Sequence, residues 1–297
     1  MKEMTEAFTG RLKASARILA AASAIAATLA ISAQGAFAVT LSEIEARGLN
    51  VATEDNYYPF EFITNGAPDG FHKDVIAELR EYASFEIHQE ILPWTGFLAA
   101  LQAGKYDAAI TGAGVTEDRL TSFNYAPPVA LGNSWYVKRA GDDRIKSIAD
   151  LSGLTFGLQA GGAQIPGLKQ LEATLATTGG TLGRVVEYQA YPEAYADLAN
   201  GRLDYVLNGA VPSAVIVKER PTIFELGEAT TGPVYVAWPV AKGNDEILQY
   251  LTDFMTHLRE TGKLEELQQK WFGMTFPDLP QEPITSVEQL RQLSGSK

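Results

Sequence analysis

Short apolar runs alternate with amphipathic stretches along most of this chain. Residues 49–53, 61–64 and 86–92 predict strands. Between them, 74–82 puts Val75, Ile76 and Leu79 on one face and predicts a helix. A second helix is expected over 93–102, opening at Pro93-Trp94 and turning Phe97, Leu98 and Leu101 inward, and another from Glu117. Farther on, 134–138, 155–159 and 184–188 predict strands, and 147–151, 163–175 and 192–199 predict helices. Segments 124–132, with Pro127-Pro128, and 231–240 read as two crossings between halves of the molecule. Helices over 245–261 and 264–271 follow. After Gly273 the chain is Pro-rich and offers a weak helix at 286–293, in a tail expected to be surface-bound or mobile.

Two stretches of this pattern read alike: LQAGKYDAAITGAG from Leu101, and LANGRLDYVLNGAV from Leu198. Their shared core is L-x-x-G-[KR]-x-D, at Gly104, Lys105 and Asp107 and again at Gly201, Arg202 and Asp204. The glycine suits a left-handed helix cap, and the apolar run after each Asp suits a strand covered on both faces. The chain is therefore read as α/β with two similar units. Ligands of open α/β sheets sit beyond the carboxyl ends of the strands, so two facing units would enclose a ligand between lobes.

Composition narrows the setting. Lys2, Arg11, Lys13 and Arg17, diluted by Glu3 and Glu6, precede an apolar run over 18–31 and the small-residue pattern Ala36-Phe37-Ala38. Residues 1–38 thus read as a signal peptide cleaved after Ala38, its apolar run too short to span a bilayer. The chain has no cysteine, which excludes a lipid-bearing cysteine, disulfides and thiolate metal sites. Export without a lipid anchor points to the periplasm of a Gram-negative cell, or to simple secretion. The formal charge is −12, and removing the four basic and two acidic residues of 1–38 takes it to about −14. That argues against a nucleic-acid partner, because phosphate binding needs a basic surface. His72, His88 and His257 are scattered, and no P-loop, G-x-S-x-G or H-E-x-x-H occurs. No catalytic residue, metal or cofactor is expected. Gly112-Ala113-Gly114 is a dinucleotide fingerprint lacking its third glycine, better explained by the repeat.

The ordered motifs resemble those of extracellular solute-binding proteins of family 3, the periplasmic receptors of polar amino-acid ABC importers. The resemblance runs over about 49–273. It is carried by Tyr57-x-Pro59-Phe60-Glu61-Phe62, Gly70-Phe71-x-x-Asp74, Trp94, Gly104-Lys105-Tyr106-Asp107 and Thr116-Glu117-Asp118-Arg119. Phe123-x-x-Ala126-Pro127, Asp150-Leu151-x-Gly153, Gln159-Ala160-Gly161, Gly201-Arg202-x-Asp204, and Gly262-Lys263-Leu264 with Lys270-Trp271-Phe272-Gly273 continue it. The resemblance implies a type II periplasmic binding protein fold: two α/β lobes, two hinge crossings and closure around one small polar solute. Lobe 1 is expected at 39–130 and 233–273, lobe 2 at 131–232, and a tail at 274–297.

The same resemblance assigns a ligand carboxylate to Arg119. A guanidinium near a helix start can pair bidentately with a carboxylate beside free N–H groups. Gly112 and Gly114 stand in the neighbouring loop, where relatives carry a hydroxyl at the position of Gly114. Gly162 and Ala163 replace another hydroxyl pair, leaving backbone amides before a helix. Where relatives place an Asp for the ligand's α-ammonium, this chain has Gly209, preceded by Asn208. Either another carboxylate takes the ammonium or the ligand has none. Glu54, at the end of the first strand, is the candidate replacement, unless it is a solvated loop residue. Tyr57 and Trp94 match rings that flank the ligand. Tyr58, Phe71, Asn133, Trp135 and Tyr191 are lesser candidates.

The reading that follows is a monomeric, non-enzymatic receptor that closes on an amino acid or derivative, such as an ectoine-like amidine acid. Its implied partners are an inner-membrane permease and its ATPase. Two alternatives stay open. One is a cyclohexadienyl or arogenate dehydratase-like enzyme on the same fold, using Glu54 or Glu117 as an acid. The other is a ligand-sensing partner protein that feeds no transporter.

Overall fold

The computed structural model describes residues 38–295. The signal-peptide reading of 1–38 lies outside them except for Ala38. Helix α1 (Leu41–Arg47) opens with a capping box: Thr40 Oγ1 accepts from the Glu43 N–H, and the Glu43 carboxylate accepts from the Thr40 N–H. Strand β1 (Leu49–Glu54) follows, buried at every position but Asn50, with the polar Thr53 and Glu54 buried at its carboxyl end. A small antiparallel meander of β2 (Asn56–Tyr57), β3 (Glu61–Thr64) and β4 (Ala67–Asp69) leads into α2 (Phe71–Tyr82). Helix α2 begins earlier than the predicted residue 74, directly after Gly70, and buries Phe71, Val75, Ile76 and Leu79. Strand β5 (Ile87–Leu92), helix α3 (Phe97–Gln102) and strand β6 (Ala108–Ala109) complete a parallel sheet of order β5-β1-β6. Helix α3 starts after Gly96, which holds a left-handed φ of 81°, and not at Pro93 as predicted.

The helix expected from Glu117 is a single 3-10 turn, Arg119–Thr121. The Arg119 N–H donates to Thr116 Oγ1 at 3.3 Å, and the chain enters β7 (Phe123–Tyr125) directly afterwards. No length is left for a second turn, so no helix dipole supports Arg119. The crossing runs on through β8 (Ala130–Leu131) into β9 (Ser134–Arg139). A 3-10 turn at Ile148–Leu151 precedes β10 (Phe156–Gln159), α4 (Gln164–Ala176), β11 (Val185–Tyr188), α5 (Tyr191–Ala199) and β12 (Tyr205–Gly209). Helix α6 (Ala210–Glu219) and strand β13 (Phe224–Ala229) finish a second sheet of order β11-β10-β12-β9-β13. Neither α6 nor β13 is predicted from the sequence. Helix α6 opens AVPSAVIV, so its apolar residues form no distinct stripe.

The repeat is real in three dimensions. Strands β11, β10 and β12 are parallel, in the same arrangement as β5, β1 and β6. Gly104 and Gly201 both hold φ of 75°, the left-handed conformation their motif calls for. The Asp107 carboxylate accepts from the Asn50 N–H at 2.8 Å, just inside β1. The Asp204 carboxylate accepts from the Thr155 N–H at 2.9 Å, just before β10.

The return crossing is also paired. Strand β14 (Tyr235–Val236) pairs with β8, and β15 (Pro239–Ala241) pairs with β7, both antiparallel. Helices α7 (Asp245–Glu260) and α8 (Lys263–Phe272) follow; α7 buries Ile247, Leu251, Phe254, Met255 and Leu258 along one stripe. The tail is docked. Ile284 forms an antiparallel bridge with Tyr125, and α9 (Val287–Ser294) sends Arg291 to Glu117 at 2.7 and 2.6 Å. No helix among the described residues is long and apolar enough to cross a membrane.

Candidate functional site

Strands β1 and β10 end facing each other, at the place where open α/β sheets receive ligands. Glu54 is the last residue of β1 and Gln159 the last of β10. The Gln159 Nε2–H donates to Glu54 Oε1 at 2.6 Å, with the two residues 4% and 2% exposed. Around this bond a cavity of about 20 Å³ is lined by Glu54, Tyr57, Trp94, Arg119, Gln159 and Gln164. Gly112, Gly114, Gly132, Gly162, Ala163 and Val236 supply the rest of its wall. That volume suits about one water molecule.

Burial, then the negative charge of Glu61, pushes the Glu54 carboxyl well above the usual carboxylate range. The Gln159 bond and the more distant Arg119 act the other way. Arg119 is half-buried. Its Nη1 donates to the Gly114 carbonyl at 2.7 Å and its Nη2 to the Gly161 carbonyl at 2.8 Å. Its guanidinium lies over the Trp94 ring, 5.0 Å from the centroid. Burial lowers the Arg119 pKa, but a guanidinium stays charged in proteins. The wall therefore carries a guanidinium cation and a buried carboxyl group whose ionisation burial opposes, with an aromatic face beside the guanidinium.

The glycines permit this close fit. A Cβ on Gly112 would lie 2.6 Å from Tyr57 Cδ1, and one on Gly114 would lie 2.5 Å from Ala163 Cβ. Gly112 is fixed from behind: its N–H donates to Glu61 Oε1 at 3.0 Å, as does the Thr111 hydroxyl at 2.5 Å. The other Glu61 oxygen meets His72 Nδ1, and the Trp238 Nε1–H donates to His72 Nε2 at 3.0 Å. An indole can only donate, so His72 Nε2 accepts and Nδ1 carries the hydrogen toward Glu61. This buried chain ties the return crossing to the loop of Gly112.

Eight of the ten residues singled out from the sequence line this cavity: Glu54, Tyr57, Trp94, Gly112, Gly114, Arg119, Gly162 and Ala163. Asn208 and Gly209 do not; they stand behind Tyr57. The Tyr57 ring is stacked between Phe60 and Tyr191, and its hydroxyl donates to Asn208 Oδ1 at 3.3 Å. A Cβ on Gly209 would come within 3.1 Å of the Tyr57 oxygen, so that hydroxyl occupies the room a side chain at 209 would need. Burial, followed by the charge of Glu54, raises the Tyr57 pKa well above its ordinary value. Of the lesser candidates, Tyr191 sits against Tyr57 and donates to Gln164 Oε1 at 3.0 Å.

Sequence reasoning missed Gln159 and Gln164 as site residues. The sequence alone carried no signal for Gln159. The two repeat aspartates bind the amides of Asn50 and Thr155, and Glu54 and Gln159 each lie four residues beyond those amides. The correspondence appears only in the folded strands, because the aspartates are 97 residues apart in sequence and that offset carries Glu54 to Leu151. Among the described residues no group of His, Asp or Glu side chains forms a metal site.

The model of the bacterial extracellular solute-binding proteins, family 3, matches residues 49–274. The chain belongs to that family. The L-cystine-binding protein TcyJ of Escherichia coli is 27% identical over 237 residues, covering 78% of this chain and 86% of its own length. The ABC transporter arginine-binding protein 1 of Escherichia coli is 25% identical over 238 residues, covering 78% and 94%. A solved structure of an ancestral arginine-binding protein bound to arginine superposes with a TM-score of 0.66 at 28% identity, covering 76% of this chain and 98% of that one. The fold is accordingly that of the type II periplasmic binding proteins. These named relatives of this family member are binding proteins.

Proposed function

We propose that this chain is the substrate-binding component of an ABC importer and captures a small carboxylate-bearing solute, an amino acid or a derivative of one. One observation carries the reading: a cation, Arg119, and a buried carboxyl, Glu54, whose ionisation a solute's positive centre would favour, share one cavity wall between two sheets. A zwitterion presents the complementary pair. Its carboxylate meets Arg119 bidentately, its positive centre meets Glu54, and Trp94 and Tyr57 flank its body. The relatives named for cystine and arginine support the amino-acid class. With a glycine at 209, any positive centre is left to Glu54.

The mechanism is closure of two lobes, 39–130 with 233–273 and 131–232, about the paired crossings. Only the closed form lets one solute touch both sheets, so binding shifts the population toward it. The closed monomer docks on an inner-membrane permease served by an ATPase, in the periplasm, after cleavage behind Ala38. The chain binds and releases its solute unchanged.

The test uses chain from Val39 to Lys297, unfolded and refolded to strip any retained solute. Thermal shift is measured against amino acids, opines, ectoines, betaines and simple carboxylates. A stabilisation with one zwitterion, lost in Arg119→Ala, is the expected result. No stabilisation by any of these, or turnover of prephenate or arogenate by the pure protein, overturns the reading.

A further inference from the structure

The two charges of the proposed site are both already engaged by one short stretch of the opposite sheet. Gln159, at the end of β10, gives its amide N–H to Glu54, and Gly161, two residues on, gives its carbonyl to Arg119. A donor faces the carboxyl and an acceptor faces the guanidinium. The turn that carries them is well determined: the Gly162 N–H donates to the Gln159 carbonyl at 3.0 Å, the Ala160 N–H to the Tyr188 carbonyl at 2.8 Å, and Gly161 holds a left-handed φ of 68°. The Gln159 side chain is 4% exposed and, among the described residues, makes one longer contact besides, to the Gln189 carbonyl at 3.4 Å. Its amide is thus aimed at Glu54.

We propose that the Gln159–Gly161 turn is an internal stand-in for a zwitterion, and that Gln159 sets the specificity of the site by competing for Glu54. The proposal rests on the binding reading above. A neutral amide and a neutral carbonyl bind these charges less strongly than a full cation and anion do. A solute with both charges therefore displaces both contacts and gains at each end. A solute with a carboxylate alone replaces the Gly161 contact and leaves Gln159 on Glu54. A cation alone does the reverse. The internal contacts thereby reject solutes of a single charge, while holding a fraction of the molecules closed when no zwitterion is present, a fraction that the zwitterion enlarges.

The test compares wild type with Gln159→Met, which keeps the side-chain length and removes the donor, and with Gln159→Leu as a second variant should the first not fold. Small-angle X-ray scattering of the refolded, solute-free chain needs no ligand. The radius of gyration is expected to rise in the variants, and identical curves for wild type and a folded variant overturn the proposal. Calorimetry with L-arginine, agmatine and succinate reads the specificity. Wild type is expected to bind L-arginine alone among the three. The variants are expected to bind it about tenfold more tightly, because the competing closed form is gone. Weaker binding of L-arginine by the variants overturns the competition. If the variants open in scattering but no probe binds either protein, the internal contact stands and the proposed solute class falls.

Discussion

Asp107 and Asp204 perform the same task in the two halves of the molecule, each accepting the backbone N–H that starts the neighbouring parallel strand. Their surroundings differ. Asp107 is 4% exposed and is also held by both Nη atoms of Arg47, at 2.9 and 2.7 Å. Asp204 is half-buried and shares Arg144 with Asp142. Asp107→Asn should therefore cost about 2–3 kcal/mol of stability, because it strips the charge from a buried network. Asp204→Asn should cost about 1 kcal/mol, since its ion pair faces water. Urea unfolding of the two variants measures the difference; equal losses would refute the assignment.

These aspartates explain why so much of the architecture can be read before any coordinates. The repeat, the covered strands and the amphipathic α7 are local patterns, and each depends on one element's own spacing. The misses have physical causes of another kind. Helix α6 has apolar residues on nearly every side and so no stripe to detect. The helix expected from Glu117 is cut to one turn by the demand that Phe123 enter β7, a constraint set by strand β15 more than a hundred residues later. In the site, Arg119 and Glu54 announce themselves by charge. Gln159 does not, because its significance lies in what it meets across the cavity.

The contact between Gly114 and Ala163 gives a second prediction. A methyl group at 114 would sit 2.5 Å from the Ala163 methyl, closer than two carbons can approach. Gly114→Ala should oppose closure and weaken solute binding by about 1–3 kcal/mol, the usual cost of overpacking. The double variant Gly114→Ala/Ala163→Gly returns the lost space and should recover most of the affinity. Calorimetry on the two proteins decides it; failure of the second change to rescue would show that Gly114 matters for its backbone alone.

Glu54 gives a third, through pH. Burial and the charge of Glu61 raise its folded-state pKa, so the folded chain holds that proton more tightly than the unfolded chain, whose glutamate titrates near about 4.3. Below that pH the group is protonated in both states and costs nothing. As pH rises from that value to the folded one, the unfolded chain ionises while the folded chain keeps its proton, and stability falls until the pH has passed through the folded value. Glu54→Gln removes the ionisation. Its melting temperature should match wild type near pH 4 and exceed it by about 2–4 °C at neutral pH. Thermal melts across that range check both ends, and a constant difference at every pH would contradict the cause.

The tail gives the last. Ile284 is fully buried, and its backbone exchanges two hydrogen bonds with Tyr125, at 3.0 and 2.9 Å, on the edge of β7 left free by β15. Leu279 and Leu290 are buried in the same cluster as Phe123, Tyr125 and Tyr235, and the Tyr235 hydroxyl donates to the Leu293 carbonyl at 3.1 Å. The tail therefore covers residues of both crossings, and its anchorage is apolar. The Arg291–Glu117 pair is about half exposed at each end, 53% and 47%, where ion pairs contribute little. Ile284→Ala should cost about 2–4 kcal/mol in urea unfolding. Arg291→Ala should cost less than about 1 kcal/mol. If the order is reversed, the ion pair and not the buried side chains anchors the tail beside the loop of Arg119.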